Sequence, residues 1–328
     1  MKRLIAAAFA LACTTMVYAQ TPSVSLQPPP NAPPIKENPA GPYAVTVEAD
    51  PSLPTHTIYR PTDLKPFSGT KSLPIVSWGN GACANAGTLF QVFLTQVASH
   101  GYLVISIGPK DAPLPAFAQG ARPSAGATPA PTPAPAATPG AIPAPASRDA
   151  QLIDAIDWAI KENDRKDSAY RDRLNTKKIA VMGQSCGGLQ AIASSADPRI
   201  VTSVIWNSGV FVETGNTAAR SLSGARKQSL SKFHAPVAYF IGGPSDVAYP
   251  NAEDDFKRIE GVPVFKGNIN SGHGGTFRHP GAGWFGEVGV AWLNWQLKGD
   301  KQASRYFVGK DCTLCTNPIW TVEKKKLD

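Results

Sequence analysis

The sequence predicts one α/β domain with a mostly parallel, doubly wound β-sheet that is covered by helices on both faces. Short apolar segments alternate with helical patterns along most of the chain, and this alternation favours parallel strands joined by helices. One apolar segment runs through a glycine-rich turn directly into a helix. Roughly 290 residues remain after the amino-terminal leader, which is enough for one large buried core.

The predicted elements follow one another in a regular order. Residues 43–47 and 56–60 have the pattern of a hairpin pair of strands. The later predicted strands are residues 73–78, 102–107, 179–182, 201–206, 236–241 and 262–265. The predicted helices are residues 87–99, 149–162, 189–193 and 285–297, and the last one carries an apolar stripe at Val288, Ala291, Trp292 and Trp295.

The amino-terminal residues 1–19 have the three parts of a secretory signal peptide. Lys2 and Arg3 form a basic start, an apolar stretch follows, and Val17-Tyr18-Ala19 is a small-residue cleavage site. The apolar stretch is too short to span a bilayer, and the residues before Cys13 match a lipidation signal poorly. We therefore expect a secreted or periplasmic protein that does not insert stably into a membrane.

Two further segments have compositions that do not support a packed core. Residues 20–42 are rich in proline and are expected to be a flexible leader before the domain at 43–328. Residues 112–146 consist almost entirely of Ala, Pro, Gly, Thr and Ser, which predicts a disordered Ala/Pro-rich loop inserted after a strand. A tolerated insertion is favoured over a role in gating a site, although a loop of this length is unusual in a compact domain.

The charge and cysteine content restrict the class of partner. The formal net charge is +8, part of it in Lys324-Lys325-Lys326, and no basic helix is interleaved with aromatic residues. We therefore expect no nucleic-acid partner, and we expect the chain to act as a monomer. Of the five cysteines, Cys13 leaves with the predicted signal peptide, and the even number that remains in an exported chain favours disulfides.

The central motif is the segment 183–187, Gly-Gln-Ser-Cys-Gly, which has the Gly-x-Ser-x-Gly form of a nucleophile elbow. The pentapeptide by itself is a weak signal, because it also occurs by chance in glycine-rich chains. Here a buried apolar run precedes it and good helix formers follow it, which is the context that the motif requires. Ser185 is therefore the candidate nucleophile; the alternative is a glycine-rich turn in a non-hydrolytic α/β protein.

A serine nucleophile needs an acid and a base, which follow it in the order Ser, acid, His in folds with such an elbow. His273 lies in a glycine-rich loop after a predicted strand and is the candidate base, whereas His279 has the sequence context of a surface loop. Asp246 follows the strand at 236–241 and is the candidate acid. The acidic residues 253–255 lie a turn into the next helix, where acids are expected from the helix dipole alone.

The candidate oxyanion hole combines backbone N–H groups from two loops. Cys186 follows the nucleophile and supplies the first donor. The glycine-rich loop after the strand at 73–78 supplies the second, from Asn80 or alternatively from Gly81.

This placement also predicts how the cysteines pair. If Asn80 and Cys186 face one oxyanion, Cys83 lies close to Cys186, and we expect a Cys83–Cys186 disulfide. Cys312 and Cys315 are expected to form a second, local disulfide. Because the chain has no second Cys-x-x-Cys, this pair does not indicate a zinc site.

Taken together, the motifs resemble the α/β-hydrolase superfamily, and more narrowly its secreted polyester-hydrolase, cutinase and dienelactone-hydrolase-like branch. The resemblance covers residues 43–327 and is carried by the segments 57–61, 78–81, 183–187, 245–250, 291–300 and 307–309 and by His273. It implies Ser185, Asp246 and His273 as a catalytic triad, with Asn80 and Cys186 as oxyanion donors.

The chain departs from this family pattern at several positions. Its nucleophile is serine, where dienelactone hydrolases have cysteine. It also has the Ala/Pro insertion, and the small Asn80 stands where polyester hydrolases often have an aromatic residue. Trp206, at the end of the strand after the elbow, is either an aromatic wall for an acyl group or a core residue.

The sequence therefore predicts a secreted serine carboxylic-ester hydrolase that acts on small or polymeric esters through an acyl-enzyme, without a metal or organic cofactor. The alternatives are an acyltransferase or peptidase on the same fold and a catalytically silent binding or surface protein. The lack of a propeller or other gating domain in the sequence disfavours a peptidase. Three triad candidates in the required order disfavour a silent protein.

Overall fold

Residues 39–118, 146–212 and 222–328 are described by the computed structural model. They all belong to the same unit of the chain, Ala32–Asp328. The predicted signal peptide at 1–19, most of the predicted leader at 20–42 and most of the predicted insertion at 112–146 lie outside the described residues.

Nine strands form one β-sheet in these residues. In chain order they are β1 (Val45–Glu48), β2 (His56–Pro61), β3 (Leu73–Gly79), β4 (Leu103–Ile107), β5 (Leu174–Gln184), β6 (Ile200–Trp206), β7 (Val237–Ile241), β8 (Val264–Asn268) and β9 (Thr321–Lys325). Their order across the sheet is β1-β2-β4-β3-β5-β6-β7-β8-β9. The strands from β4 to β8 in this order are parallel, and β1, β2 and β9 pair antiparallel at the two edges. The predicted mostly parallel α/β sheet is confirmed.

The strand order reverses at β3, which has β4 on one side and β5 on the other. In open α/β sheets, ligands bind at the carboxyl ends of the strands where the order reverses. The register pairs Gly79 at the end of β3 with Gly183 near the end of β5. The turns that follow these two strands therefore lie side by side.

Six helices accompany the sheet in the described segments, and none of them is long and apolar enough to cross a membrane. In chain order they are α1 (Gln91–Ser99), α2 (Ala150–Asp164), α3 (Cys186–Ser194), α4 (Tyr249–Arg258), α5 (Gly283–Lys298) and α6 (Lys301–Ser304). The first begins at Gln91, later than the predicted residue 87, and the Gly87 N–H donates to the carbonyl of Pro109.

Each face of the sheet carries its own apolar core. On one face, residues of α2, α3 and α4 pack against strand residues such as Ile75 and Val181. On the other face, α1 and α5 pack against their strand neighbours Val76 and Met182. Successive strand residues point to opposite faces, so β3 and residues 179–184 of β5 are buried on both sides. This burial explains why these strands are continuous apolar runs in the sequence.

The edge strand β9 is an element that the sequence pattern did not predict. Its residues, Thr-Val-Glu-Lys-Lys, are mostly charged, and lysine on an exposed edge protects a sheet from pairing with further strands. The strand pairs antiparallel with β8. The buried Lys266 of β8 forms ion pairs with Glu253 of α4 and Glu323 of β9, so the edge is held by charges as well as by the backbone ladder.

Candidate active site

Ser185 lies on the sharp turn between β5 and α3, in a backbone conformation that L residues rarely adopt. Its φ and ψ are 53° and −117°, and its N–H donates to the carbonyl of Trp206 at 2.9 Å. A Cβ on Gly183 would lie 2.2 Å from the carbonyl carbon of Gly187, which is far too close for a side chain. The Gly-x-Ser-x-Gly spacing therefore has a steric cause in this chain, as a nucleophile elbow requires.

Two hydrogen bonds connect Ser185, His273 and Asp246 in a line. His273 Nε2 and Ser185 Oγ are 2.9 Å apart, and His273 Nδ1 and Asp246 Oδ1 are 2.6 Å apart. When Nδ1 carries the proton and donates to the carboxylate, Nε2 is free to accept the hydroxyl proton of Ser185. The structure thus brings together the predicted nucleophile, base and acid, and this arrangement can activate a hydroxyl for attack.

Asp246 is 1% exposed, and its carboxylate accepts hydrogen bonds from several groups of the site. Oδ1 also accepts from the N–H of Ala248 at 2.8 Å, and Oδ2 accepts from the Asn207 amide at 2.7 Å and from the N–H of Gly242 at 3.1 Å. Burial alone raises the pKa of this carboxyl, but the bonds from His273, Ala248 and Asn207 outweigh it and hold the pKa below its ordinary value of 3.8. Asp246 is therefore a charged carboxylate at neutral pH.

The other candidates for acid and base have different surroundings. The acidic residues 253–255 lie on α4 and form ion pairs with lysine and arginine side chains. His279 precedes a short 3-10 turn, and the ring of His234 lies 3.0 Å from the carbonyl of Ile200 at the start of β6. The ion pairs of residues 253–255 and the contact of His234 with Ile200 give these residues structural roles.

Two side chains that sequence analysis did not single out hold the loop of His273. Gln184 Nε2 donates to the main-chain carbonyl of His273 at 3.0 Å. Asn207 donates to Asp246 and also to the carbonyl of Gly272 at 3.1 Å. Asn207 directly follows β6 at the carboxyl edge of the sheet, and a polar residue at that edge is the signal that could have identified it.

A cavity of about 140 Å³ opens beside Ser185. Its wall is mostly apolar, with contributions from Leu189, Phe211, Leu222 and Val247. Among the described residues that line it, none is Asp, Glu, Lys or Arg. Phe211 and Val247 are 40% and 76% exposed, so an apolar surface faces solvent at the cavity. The cavity therefore suits an uncharged, apolar group next to the serine hydroxyl.

Asn80 is the residue whose backbone N–H is expected to face the oxyanion, and its side chain is directed away from the cavity. Asn80 is fully buried, and its side-chain amide donates to three backbone carbonyls of neighbouring loops. Gly81 is buried as well. Ala82 is the residue of this turn that lines the cavity, with φ 54° and ψ 20°. The side chain of Asn80 thus shapes the loop, and Ala82 joins Asn80 and Gly81 as a candidate for the second N–H donor.

The position of Trp206 decides between its two predicted roles. The side chain is fully buried. Its ring stacks on Phe240 with centroids 4.7 Å apart and meets Phe93 edge-on at 5.2 Å. Trp206 is therefore a core residue on the face of α1 and α5, which is the second of the two roles predicted for it. Phe211 is the aromatic side chain on the cavity wall.

Both predicted cysteine pairs lie at disulfide distance. The Cα–Cα separation is 5.1 Å between Cys83 and Cys186 and 4.9 Å between Cys312 and Cys315. Cys83 ends the 3-10 turn that contains Ala82, and Cys186 is the first residue of α3. The first pair therefore ties the turn after β3 to the residue that follows Ser185.

Comparison with known proteins does not assign the chain to a family. No protein-family model matches it, and no curated protein sequence matches it. In the three described segments, no group of three or more His, Cys, Asp or Glu side chains is arranged to hold a metal ion. The α/β sheet and the hydrogen-bonded Ser–His–Asp arrangement are the features from which a function can be inferred.

Proposed function

We propose that the chain is a serine carboxylic-ester hydrolase of the α/β-hydrolase superfamily that works through an acyl-enzyme. The observation that carries this proposal is the line of two hydrogen bonds from Asp246 through His273 to Ser185. The position of Ser185 supports it as well. The serine lies on a strained turn between a strand and a helix, beside the reversal of the strand order where α/β proteins bind their ligands.

Acylation follows from the geometry of the three side chains. Ser185 Oγ attacks the ester carbonyl carbon while His273 Nε2 takes the hydroxyl proton. The same Nε2 then gives this proton to the leaving oxygen as the ester C–O bond breaks, the alcohol leaves, and the acyl group stays on Oγ. Asp246 holds the imidazole in the required tautomer and stabilises the positive charge that forms on it.

Deacylation repeats these steps with water. His273 Nε2 takes a proton from a water molecule that attacks the acyl carbon, and it returns the proton to Ser185 Oγ as the carboxylic acid is released. The oxyanion that forms in both steps is held by the N–H groups of Cys186 and Ala82. Cys186 is at the amino terminus of α3, where the helix dipole also favours negative charge.

The cavity supports a preference for neutral, apolar esters. A charged acyl group would lose its hydration against Leu189, Leu222 and Phe211 without gaining a partner of opposite charge. The exposure of Phe211 and Val247 leaves this wall open to solvent. The proposal therefore includes both small esters and segments of an apolar polyester. Because disulfides persist in oxidising compartments, the two cysteine pairs support secretion or a periplasmic location.

A panel of p-nitrophenyl esters with increasing acyl length, together with a polyester film, tests the proposal. We expect Ser185-dependent turnover, with kcat/KM lowered about 10³-fold or more in Ser185→Ala. Ser194→Ala is the matched control, because Ser194 is a buried serine of α3 that bonds the Asp149 carbonyl away from the cavity. Absence of turnover in the wild type, or full turnover in Ser185→Ala, contradicts the proposal.

The same panel separates the alternative functions. An acyltransferase on this fold would transfer the acyl group to an added alcohol faster than to water. A peptidase would cleave peptide p-nitroanilides at a rate comparable with the esters. A catalytically silent binding protein would leave every substrate unchanged.

A further inference from the structure

We propose that Asn207 is a positioning residue that fixes the carboxylate of Asp246 and the loop of His273 relative to each other. This inference rests on the proposed function of the site. One amide nitrogen reaches both parts of the site: Asn207 Nδ2 donates to Asp246 Oδ2 at 2.7 Å and to the carbonyl of Gly272, the residue before His273, at 3.1 Å.

The surroundings require an amide at this position. The carboxylate of Asp246 and the carbonyl of Gly272 can only accept hydrogen bonds, so the NH₂ group of Asn207 must face them and the Oδ1 atom must face away. An aspartate in its place would put a second carboxylate against Asp246. A leucine or alanine would leave both acceptors without this bond. The position is therefore specific for asparagine in its chemistry as well as in its volume.

The backbone of Asn207 is held as firmly as its side chain. Its N–H donates to the carbonyl of Phe240 in the neighbouring strand at 2.8 Å, and its φ of 42° is unusual for a residue other than glycine. Three residues further on, the N–H of Val210 donates to the buried carboxylate of Asp255 at 2.8 Å. These contacts keep the amide in place when no substrate is bound, as a pre-organised site requires.

Asn207 acts through Asp246 and not on the substrate. It is one of the residues that line the cavity, but its side chain is fully buried and offers no exposed surface, whereas the side chain of His273 is 36% exposed at the same cavity. The titratable side chain in contact with Asp246 is His273, and the other donors to its carboxylate are the N–H groups of Gly242 and Ala248. Removing the Asn207 amide therefore changes the charge balance of the Asp246–His273 pair.

Loss of the Asn207 amide raises the affinity of the Asp246–His273 pair for its proton. A donor that bonds a carboxylate favours its charged form, so losing the donor makes the Asp246–His273 pair hold a proton more tightly. The pair then takes up its proton at a higher pH. A purely structural role in packing would lower stability and leave this titration unchanged.

The test follows the protonation of the Asp246–His273 pair by NMR of the intact chain labelled with ¹⁵N-histidine, with His273→Gln used to assign the ring signals. We compare wild type, Asn207→Ala and the isosteric Asn207→Asp. The control is Asn268→Ala, because Asn268 is a buried asparagine at the end of β8 whose side chain bonds none of the described residues. We expect the acidic midpoint to rise by about one pH unit in both Asn207 variants and to stay unchanged in the control.

Ester turnover is the second readout. We expect kcat to fall roughly ten- to a hundredfold in Asn207→Ala with little change in KM, because a bond to the charged acid is lost and no substrate contact is. An unchanged midpoint in both folded Asn207 variants, or an equal rise in Asn268→Ala, overturns the positioning role. If the midpoint rises but the wild type hydrolyses no ester, the proposed function fails and the positioning role of Asn207 stands.

Discussion

The Cα atom of Gly187 packs directly against the main chain of Gly79, so that a Cβ on Gly187 would lie 2.0 Å from the Gly79 carbonyl oxygen. Gly79 ends β3 and pairs with Gly183 of β5. The second glycine of the elbow therefore sets how closely the turn after β3 approaches the start of α3. The cavity wall at Ala82 and the residue after Ser185 both depend on this approach.

We expect Gly187→Ala to lower the free energy of unfolding by about 1–3 kcal/mol or more, because backbone atoms on both sides must move apart. Urea denaturation followed by circular dichroism measures the change. Gly261→Ala is the matched control, since a Cβ there meets no atom within 4 Å, and its stability should equal or slightly exceed that of wild type. Equal stability of the two variants would show that the approach at Gly187 is not tight.

Asp246→Asn tests the choice of acid. The amide cannot hold the imidazole in the tautomer that accepts the serine proton, so we expect kcat to fall by about 10⁴ while the fold is retained. Steady-state kinetics on the best p-nitrophenyl ester gives the value. Asp254→Asn is the control: Asp254 of α4 pairs with Arg258 of the same helix at 2.7 Å and with Lys227 at 2.6 Å. A comparable loss of kcat in Asp254→Asn, or no loss in Asp246→Asn, would show that Asp246 is not the acid that orients His273.

The two cysteine pairs should differ in their effect on stability. Cys83 and Cys186 are 103 residues apart in the chain, whereas Cys312 and Cys315 are three apart. The entropy of closing these loops predicts a loss of about 5 kcal/mol on replacing the first pair by serine and about 2 kcal/mol for the second. Urea unfolding of the two double variants under oxidising conditions measures both losses. Equal losses would contradict the loop-length argument.

Val247 tests the apolar wall of the cavity. It is 76% exposed, so Val247→Ser should leave the fold intact. We expect kcat/KM for butyrate or longer esters to fall about three- to tenfold relative to acetate, because the longer acyl chain loses apolar contact. Val212→Ser provides the control, since Val212 is also exposed but does not line the cavity. An equal fall in kcat/KM for all acyl chain lengths would show that the acyl group does not bind against Val247.

The predictions that agree best with the structure concern side chains that follow the carboxyl ends of strands. Ser185, Asp246 and His273 were placed near each other from the sequence because each follows an apolar run, and the carboxyl ends of parallel strands meet at one edge of the sheet. The helix α5 and the central strands were recognisable for a related reason, since burial leaves a periodic or continuous apolar pattern.

Loop geometry and sheet edges were not predictable in the same way. Ala82, not Asn80, lines the cavity, because the turn adopts a left-handed conformation at residues 82 and 83. Alanine and cysteine do not favour that conformation, so the sequence gives no signal for it. The alternation in β6 could have placed Trp206 beside Val204 in the core. The strand β9 was missed because its lysines and glutamate resemble a solvated tail, and only the partner strand β8 shows them to be an edge.

The hydrogen bond from Gln184 to the His273 carbonyl has a mechanical consequence. Gln184 and Ser185 are consecutive residues, so the main chain of His273 is bonded to the residue directly before Ser185. A displacement of the His273 main chain away from Gln184 must therefore break this bond or move Gln184 with it.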